Sequence, residues 1–385
     1  MSVMQEKHLT SPIPFIDLMA QQQKIRPAID KAISRVLDHG AYVMGPEVTE
    51  LETKLAHYCG AAHVISCSSG TDALLMVLMA QGVGPGDAVF LPSFTFTATP
   101  EVVALLGATP IFVDVLPDTY NMDVNSVTQG IQVAKELGLS PKAIIAVDLF
   151  GQPADYPALT ALADSHGMWV LADAAQSFGG SLFGHKVGSL ALATATSFFP
   201  AKPLGCYGDG GAIMTDDDAL ADRLRSIRIH GQGAHKYDNI RIGINGRLDT
   251  IQAAILLEKL TIFDEECAMR QTIADVYNDI CGDYVKVPVM MAGAQSSWAQ
   301  YTVQLPQGVD RDSLMKKLSA QGIPTMVYYG KSLHQQTAYQ SFPTAGSCNV
   351  STALQSCVLS LPMSEAYHEI VAEQFVNALA ELIDI

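Results

Sequence analysis

Short apolar runs alternate with longer segments of helical apolar spacing between about residues 60 and 215. A continuous apolar run bounded by turn residues is typical of a buried strand, whereas apolar residues three or four positions apart are typical of a helix. This pattern predicts strands at residues 63–67, 88–91, 110–115, 143–147, 169–173, 194–198 and 211–214, and helices at 73–79, 100–106 and 156–165. Such alternation predicts a large α/β domain, with a mostly parallel seven-stranded sheet between helices.

The pattern changes beyond residue 245. A long helix is predicted at residues 250–263, followed by strands at 298–305 and 325–329 and helices at 311–321 and 367–382. The stretch 34–44 and a helix at 47–58 lead into the sheet. We therefore predict a large α/β domain over residues 1–260 and a smaller α+β domain over residues 261–385.

Composition and net charge limit the kinds of molecule that the chain is expected to bind. The chain has 385 residues, 49% of them hydrophobic, and a net charge of −16, which disfavours binding to nucleic acid or to an anionic membrane surface. No apolar run approaches the length of a membrane span, and the segment Met1 to His8 lacks the pattern of a secretion signal. We expect a soluble, cytoplasmic protein. The seven cysteines include no Cys-x-x-Cys pair and the histidines lack ligand spacing, so no metal site is expected.

Lys202 is the first candidate for chemistry. It ends the apolar stretch Ser197-Phe198-Phe199-Pro200-Ala201-Lys202, and a glycine-rich run follows it at once. Most lysines are solvated surface charges, but a lysine placed among aromatic and small residues is desolvated. Desolvation lowers the pKa of an amine and frees its lone pair for Schiff-base chemistry.

Other polar residues follow predicted strands. The turn Ser66 to Asp72 runs from a predicted strand into a predicted helix. This turn has two interpretations: its backbone N–H groups bind a phosphate group, or one of its side chains only caps the helix. Asp173 ends a predicted strand and either caps the next helix or pairs with a pyridinium nitrogen, and Gln176 is a candidate donor to a neighbouring phenolic oxygen. Phe96 is a platform for an aromatic ring or a core residue. Together with Lys202, these residues meet the four needs of pyridoxal 5′-phosphate (PLP): imine partner, phosphate anchor, pyridinium partner and ring platform.

The chain resembles, over nearly its full length, the DegT-type sugar-nucleotide aminotransferase family of fold-type I PLP enzymes. The matching motifs are Gly45-Pro46-Glu47-Val48, Ser69-Gly70-Thr71-Asp72-Ala73-Leu74, Asp173-Ala174-Ala175-Gln176, Ser197-Phe198-Phe199-Pro200-Ala201-Lys202, Gly208-Asp209-Gly210-Gly211 and Gly243-Ile244-Asn245-Gly246-Arg247-Leu248-Asp249. The resemblance implies an obligate homodimer with shared active sites. Because related dehydratases carry histidine at the position of Lys202, it also implies amino transfer rather than dehydration.

The resemblance implies a role for each matched residue. Lys202 forms the Schiff base with PLP, Asp173 pairs with the ring nitrogen, and Gln176 approaches the ring oxygen. The remaining cofactor contacts are implied for Gly70, Thr71 and Ser197 at the phosphate, Phe96 at the ring face, and Asn245 at the phosphate of the neighbouring subunit.

The segment from Arg228 to Ala254 is most like the branch that aminates UDP-2-acetamido-2-deoxy-3-oxo-hexuronates, with L-glutamate as the usual donor. Arg247 suits a carboxylate because its planar fork binds one bidentately, although an interface arginine is an equal alternative. Tyr329 and His334 are implied to line the sugar-nucleotide cleft. The implied product is an amino sugar for a polysaccharide such as lipopolysaccharide O-antigen. Amination of a 4-keto-6-deoxyhexose nucleotide and a PLP-binding regulatory protein remain alternatives.

Overall fold

A computed structural model describes residues 12–382, so the segment Met1 to His8 lies outside the described residues. The strands are β1 His63–Cys67, β2 Asp87–Pro92, β3 Thr109–Val113, β4 Ser140–Val147, β5 Trp169–Asp173, β6 Ser181–Leu182, β7 His185–Lys186, β8 Ala193–Ser197, β9 Gly211–Thr215, β10 Ala294–Gln295, β11 Tyr301–Gln304 and β12 Val358–Leu361. The helices are α1 Leu18–His39, α2 Pro46–Cys59, α3 Gly70–Ala80, α4 Ala98–Leu105, α5 Val124–Glu136, α6 Tyr156–Ser165, α7 Asp218–Ile227, α8 Thr250–Leu260, α9 Phe263–Cys281, α10 Arg311–Ala320, α11 Asn349–Cys357 and α12 His368–Ala380.

The seven predicted strands form one sheet in the order β1-β9-β8-β5-β4-β2-β3. Strand β9 pairs antiparallel with β1 and β8, and the other neighbours are parallel. The predicted mostly parallel seven-stranded sheet is therefore confirmed. Two short further sheets join β10 to β6 and β7, and β11 to β12.

Helices cover both faces of the large sheet. Alternate residues of a strand point to opposite faces, and in β2 Val89 and Leu91 pack with α3, α4 and α7, whereas Ala88 and Phe90 pack with α5 and α6. The strands are mostly apolar because both faces of the sheet are buried. Among residues 12–382, no helix is long and apolar enough to cross a membrane.

A second core lies in the C-terminal part of the chain. Buried residues of α9, α10 and α12 pack around β11 and β12, with Tyr277 and Phe375 among the largest. Ile13 belongs to this cluster, and its N–H donates to the carbonyl of Gly322 at 3.0 Å. The start of the described chain therefore packs against the C-terminal elements. The division at residue 260 stays a prediction.

Two predicted elements differ from the structure. The helix predicted at 250–263 ends at Leu260, where the hydroxyl of Thr261 donates to the Glu258 carbonyl at 2.6 Å and competes with helical pairing. The strand predicted at 325–329 is wrong. Met326 exchanges two backbone hydrogen bonds with Ser360, and the chain then turns towards the carboxyl edge of the large sheet.

The sheet places β9 against the turn that precedes α3. A Cβ atom added at Gly211 would lie 2.4 Å from the carbonyl oxygen of Ser69. We therefore expect Gly211→Ala to lower the free energy of unfolding by about 1–3 kcal/mol, since two backbone segments must separate. Urea denaturation measures this change.

Gly84→Ala is the matched control, because nothing lies within 4 Å of a Cβ atom there. It should change the free energy of unfolding by less than about 1 kcal/mol. Equal destabilisation by both substitutions would contradict the close approach at Gly211.

Candidate active site

Most of the predicted site residues meet at the carboxyl edge of the parallel strands. Asp173 is the last residue of β5 and Ser197 is the last residue of β8, which lies beside it in the sheet. The carboxyl ends of strands in an open α/β sheet are where ligands bind, because the loops that follow leave a crevice there. The loop that carries Lys202 follows β8 directly.

The N-terminus of α3 lies against Ser197. Ser69 is the N-cap, and its hydroxyl accepts a hydrogen bond from the N–H of Asp72 at 3.0 Å. A Cβ atom added at Gly70 would lie 2.7 Å from the Cβ atom of Ser197, so glycine is required for this approach. The free N–H groups and positive dipole of the α3 N-terminus, with the hydroxyls of Thr71 and Ser197 nearby, suit a phosphate group.

Asp173 is buried and held in place. One carboxylate oxygen accepts from the hydroxyl of Thr99 at 2.9 Å, and the other accepts from the N–H of Ala175 at 3.3 Å. Burial raises the pKa of the Asp173 carboxyl, and these two hydrogen bonds and the charge of Lys202 oppose the rise. A carboxylate kept at low dielectric beside the cavity is suited to pair with one protonated ring nitrogen.

Lys202 lies in a tight turn, where its N–H donates to the carbonyl of Phe199 at 2.8 Å. Burial lowers the pKa of its amine, and the charge of Asp173 works in the opposite direction. The neutral amine is therefore more populated than in a solvated lysine. A neutral amine is the form that acts as nucleophile and as general base.

Gln176 and two aromatic residues form the opposite wall. The Gln176 side chain accepts from the N–H of Phe150 at 2.6 Å and donates to the Tyr329 hydroxyl at 3.1 Å. The ring of Phe96 lies 6.4 Å from that of Tyr329, and Phe96 is half exposed. The resemblance implied that the Gln176 side chain faces an oxygen of the PLP ring. In the structure its amide NH₂ group donates to the Tyr329 hydroxyl instead.

These residues enclose a cavity of about 480 Å³, a size typical of small-molecule sites. Eight of the predicted site residues line it, namely Gly70, Thr71, Phe96, Asp173, Gln176, Ser197, Lys202 and Tyr329. Asn245, Arg247 and His334 do not. Arg247 Nε donates to the Asn245 side chain at 2.9 Å, and His334 Nδ1 lies 2.5 Å from the hydroxyl of Ser93. Burial lowers the pKa of His334.

Asp148 is a buried carboxyl beside the site that sequence reasoning missed. It accepts from the Ala154 N–H at 2.8 Å, the Tyr156 hydroxyl at 2.7 Å and the Ser177 hydroxyl at 2.6 Å. Its own N–H donates to the Asp173 carbonyl at 3.1 Å. Burial raises the pKa of Asp148 to about 7, against the lowering effect of these hydrogen bonds. Because Asp148 directly follows β4, the signal that identified Asp173 would also have identified it.

Two further residues of the site were missed. Thr99 holds Asp173, and Gln300 lines the cavity from the segment before β11. Thr99 follows Phe96 in a stretch of alternating hydroxyl and apolar residues, but nothing in that stretch marks its partner. No sequence signal distinguishes Gln300 from the other glutamines, because its role depends on a contact between distant segments.

Comparison with known proteins identifies the relatives of this chain. A family model described as the DegT/DnrJ/EryC1/StrS aminotransferase family matches residues 23–380. The UDP-2-acetamido-2-deoxy-3-oxo-D-glucuronate aminotransferase of Pseudomonas aeruginosa is 49% identical over 91% of this chain and 95% of its own length. The pleiotropic regulatory protein of Geobacillus stearothermophilus is 39% identical over 96% of this chain and 98% of its own length.

A solved structure is also similar. The crystal structure of a DegT DnrJ EryC1 StrS aminotransferase from Brucella abortus superposes with a TM-score of 0.93 at 51% identity, and covers 96% of this chain and 99% of that one. The fold of the whole chain is therefore that of an aminotransferase of this kind.

The buried Asp148 makes stability depend on pH. Its pKa is about 7 in the folded chain and about 3.9 in an unfolded one, so the folded state binds more protons between these values. Stability therefore falls as pH rises through this window, and the Asp148 contribution falls by about 1.4 kcal/mol between pH 6 and pH 8. Asp148→Asn does not titrate and should lose this part of the decline, measured by urea denaturation at both pH values.

Asp164→Asn, at an exposed position near the end of α6, is the control and should keep the wild-type decline. If Asp148→Asn declines as steeply as the wild type, Asp148 does not have the raised pKa.

Proposed function

The chain belongs to the DegT/DnrJ/EryC1/StrS aminotransferase family, and from that premise we propose that it moves an amino group from L-glutamate to the keto group of a nucleotide-linked sugar. The chain is a PLP-dependent aminotransferase, as the family is. The observation that carries the assignment of its residues is that Lys202, Asp173 and the α3 N-terminus line the same cavity.

The residues of the cavity fit PLP. The α3 N-terminus, with Gly70, Thr71 and Ser197, would anchor the phosphate, because the missing Cβ atom of Gly70 lets Ser197 lie directly against the N–H groups at the start of the helix. Asp173 would pair with the ring nitrogen, and Phe96 would lie against the ring face. Gln176 would approach the ring oxygen together with Tyr329, to which its amide already donates.

When bound, PLP supplies the conjugated ring that accepts the electrons released at the reacting carbon. Asp173 would hold a proton on the ring nitrogen, because a carboxylate in a buried site favours a cationic partner. Lys202 Nζ would take the proton from the α-carbon of the donor and pass it on to the bound cofactor. Its lowered pKa keeps Nζ neutral and ready to accept that proton.

The proposed acceptor is a UDP-2-acetamido-2-deoxy-3-oxo-hexuronate. Support comes from the relative that is 49% identical, whose name describes a 3-oxo-glucuronate aminotransferase. Arg247 is proposed to bind the carboxylates of glutamate and of the uronate, with Tyr329 and His334 close to the sugar. The product would serve a cytoplasmic stage of polysaccharide synthesis, such as lipopolysaccharide O-antigen.

We also propose a homodimer with shared sites. Asn245 and Arg247 lie outside the cavity of their own chain, on a segment that exposes large apolar side chains, with Tyr237 at 90% and Ile242 at 84% exposure. Exposed apolar patches mark protein interfaces. In the proposed dimer, this segment brings Asn245 to the phosphate in the partner's cavity.

The function is tested by its two half-reactions. Purified protein should show a PLP absorption band that is lost when L-glutamate is added and returns with the keto-sugar nucleotide. Lys202→Ala should slow both steps by at least about 100-fold, because the proton carrier is gone. Lys135→Ala, on the exposed face of α5, should behave like the wild type.

A panel of amino-sugar nucleotides, assayed in reverse, identifies the substrate. We expect the 3-amino-hexuronate to react fastest. Reaction with 4-amino-6-deoxy sugars alone would replace the proposed substrate by the alternative one. A band that no amino donor changes would favour the alternative of a PLP-binding regulatory protein; the relative that is 39% identical is named a pleiotropic regulatory protein.

A heterodimer tests whether the sites are shared. One subunit carries Lys202→Ala and the other Asn245→Asp, which places a negative charge at the proposed phosphate contact. Each homodimer should be inactive, whereas a heterodimer purified through two different tags should have about half of the wild-type activity, because one site is intact in a symmetric dimer. An inactive heterodimer would mean that Asn245 acts within its own chain.

A further inference from the structure

Gln300 is a buried polar residue that lines the cavity. None of the proposed contacts with PLP involves it. It lies just before β11 and is 7% exposed, and it lines the cavity together with Tyr329 and Gln176. Its backbone N–H donates to the carbonyl of Phe150 at 3.3 Å. The side chain therefore extends from a segment that is fixed beside the reaction centre.

The Gln300 side-chain oxygen has no hydrogen-bond partner among residues 12–382. Buried side-chain oxygens in folded proteins nearly always have a donor, because an unpaired one loses its hydration without compensation. The neighbouring Gln176 shows the contrast, since both ends of its amide are paired within the protein. The Gln300 oxygen therefore lacks the donor that a buried amide oxygen normally has, and a ligand bound in the cavity that this residue lines is one source of that donor.

The segment that carries Gln300 is held rigidly. The Ser297 hydroxyl donates to the Gln176 carbonyl at 2.6 Å, and the indole N–H of Trp298 donates to the Gln271 side chain at 2.8 Å. Trp298 has φ 49° and Phe150 has φ 61°, both in the left-handed region that non-glycine residues avoid. Such backbone persists only where packing enforces it, and it is concentrated at functional sites.

We propose that Gln300 is a specificity-determining residue that binds the substituent next to the reacting carbonyl of the sugar. This inference rests on the proposed function. The substituent is an amide or a hydroxyl, because the Gln300 oxygen requires a hydrogen-bond donor. An acetamido group is the best match, since its N–H donates to that oxygen and its carbonyl accepts from the Gln300 NH₂ group.

Glutamate does not meet the same requirement. The carboxylates of glutamate only accept hydrogen bonds, and its amino group is the group that reacts. Glutamate therefore leaves the Gln300 oxygen unpaired. A site built to pair a substrate donor discriminates strongly against a ligand without one, so Gln300 should affect the sugar half-reaction and not the glutamate half-reaction.

Gln300→Met tests this inference, since methionine keeps the length of the side chain but cannot form the paired hydrogen bonds. We expect kcat/KM of the sugar half-reaction to fall about 10- to 100-fold, and that of the glutamate half-reaction to change less than about threefold. Calorimetry should show a similar loss of affinity for the amino-sugar nucleotide. The PLP absorption band should be unchanged.

Gln295→Met is the matched control, because the Gln295 side chain pairs with the Ser181 hydroxyl at 3.0 Å outside the cavity. A sugar nucleotide that lacks the substituent beside the carbonyl provides the second arm. Wild-type protein should discriminate against it, and Gln300→Met should not.

These measurements distinguish failure of the proposed function from failure of the Gln300 inference. If the wild type aminates no sugar nucleotide, the proposed function fails and this inference fails with it. If the wild type is active and Gln300→Met is unaffected, or loses both half-reactions equally, the inference alone is overturned.

Discussion

The close approach of the α3 N-terminus to the ends of β8 and β9 is the constraint on which the site depends. Gly70 lies against Ser197, and Gly211 lies against the Ser69 carbonyl, at distances that leave no room for a Cβ atom. This contact places a positive helix end beside the turn that carries Lys202. The proposed phosphate anchor and the proposed reactive amine thereby line one cavity.

The same sheet edge holds groups that are costly to bury. Asp173 ends β5 and Asp148 directly follows the neighbouring strand β4, and burial raises the pKa of both. Hydrogen bonds from Thr99, Ala154, Tyr156 and Ser177 reduce that cost without removing it. Stability is lower than an apolar edge would provide, and the chain gains a carboxylate of defined position beside the cofactor site.

A buried ion pair links the site to the surface proposed to meet a partner. Arg228 donates to the Glu52 carboxylate and, at 3.0 Å, to the Ser66 carbonyl at the end of β1. The N–H of Gly246 donates to the Arg228 carbonyl at 3.0 Å. The segment that carries Asn245 is therefore anchored to the strand that leads into the phosphate turn, and removing either charge would leave the other buried without its partner.

The local pattern of apolar residues was sufficient to predict the strands of the large sheet, because a strand buried on both faces is mostly apolar. It was also sufficient to identify polar residues at the ends of these strands, because they stand out from the apolar run. It was not sufficient for α1, which is polar and contains Pro27, a residue that normally ends a helix. Nor did it identify the turn within residues 325–329, because these residues have high strand propensity and yet do not form a strand.

The sequence alone determined the α/β class and the PLP motifs, and it singled out Lys202 and Asp173 as candidates for chemistry, since each rests on residues close together in the chain. Tertiary structure alone decided that Gln176 pairs with Tyr329, that the Asp148 N–H donates to the Asp173 carbonyl, and that the Gln300 side-chain oxygen is buried without a partner among residues 12–382. These contacts join segments distant in the chain, and a hydrogen-bond partner is defined by position in space rather than by neighbours in sequence.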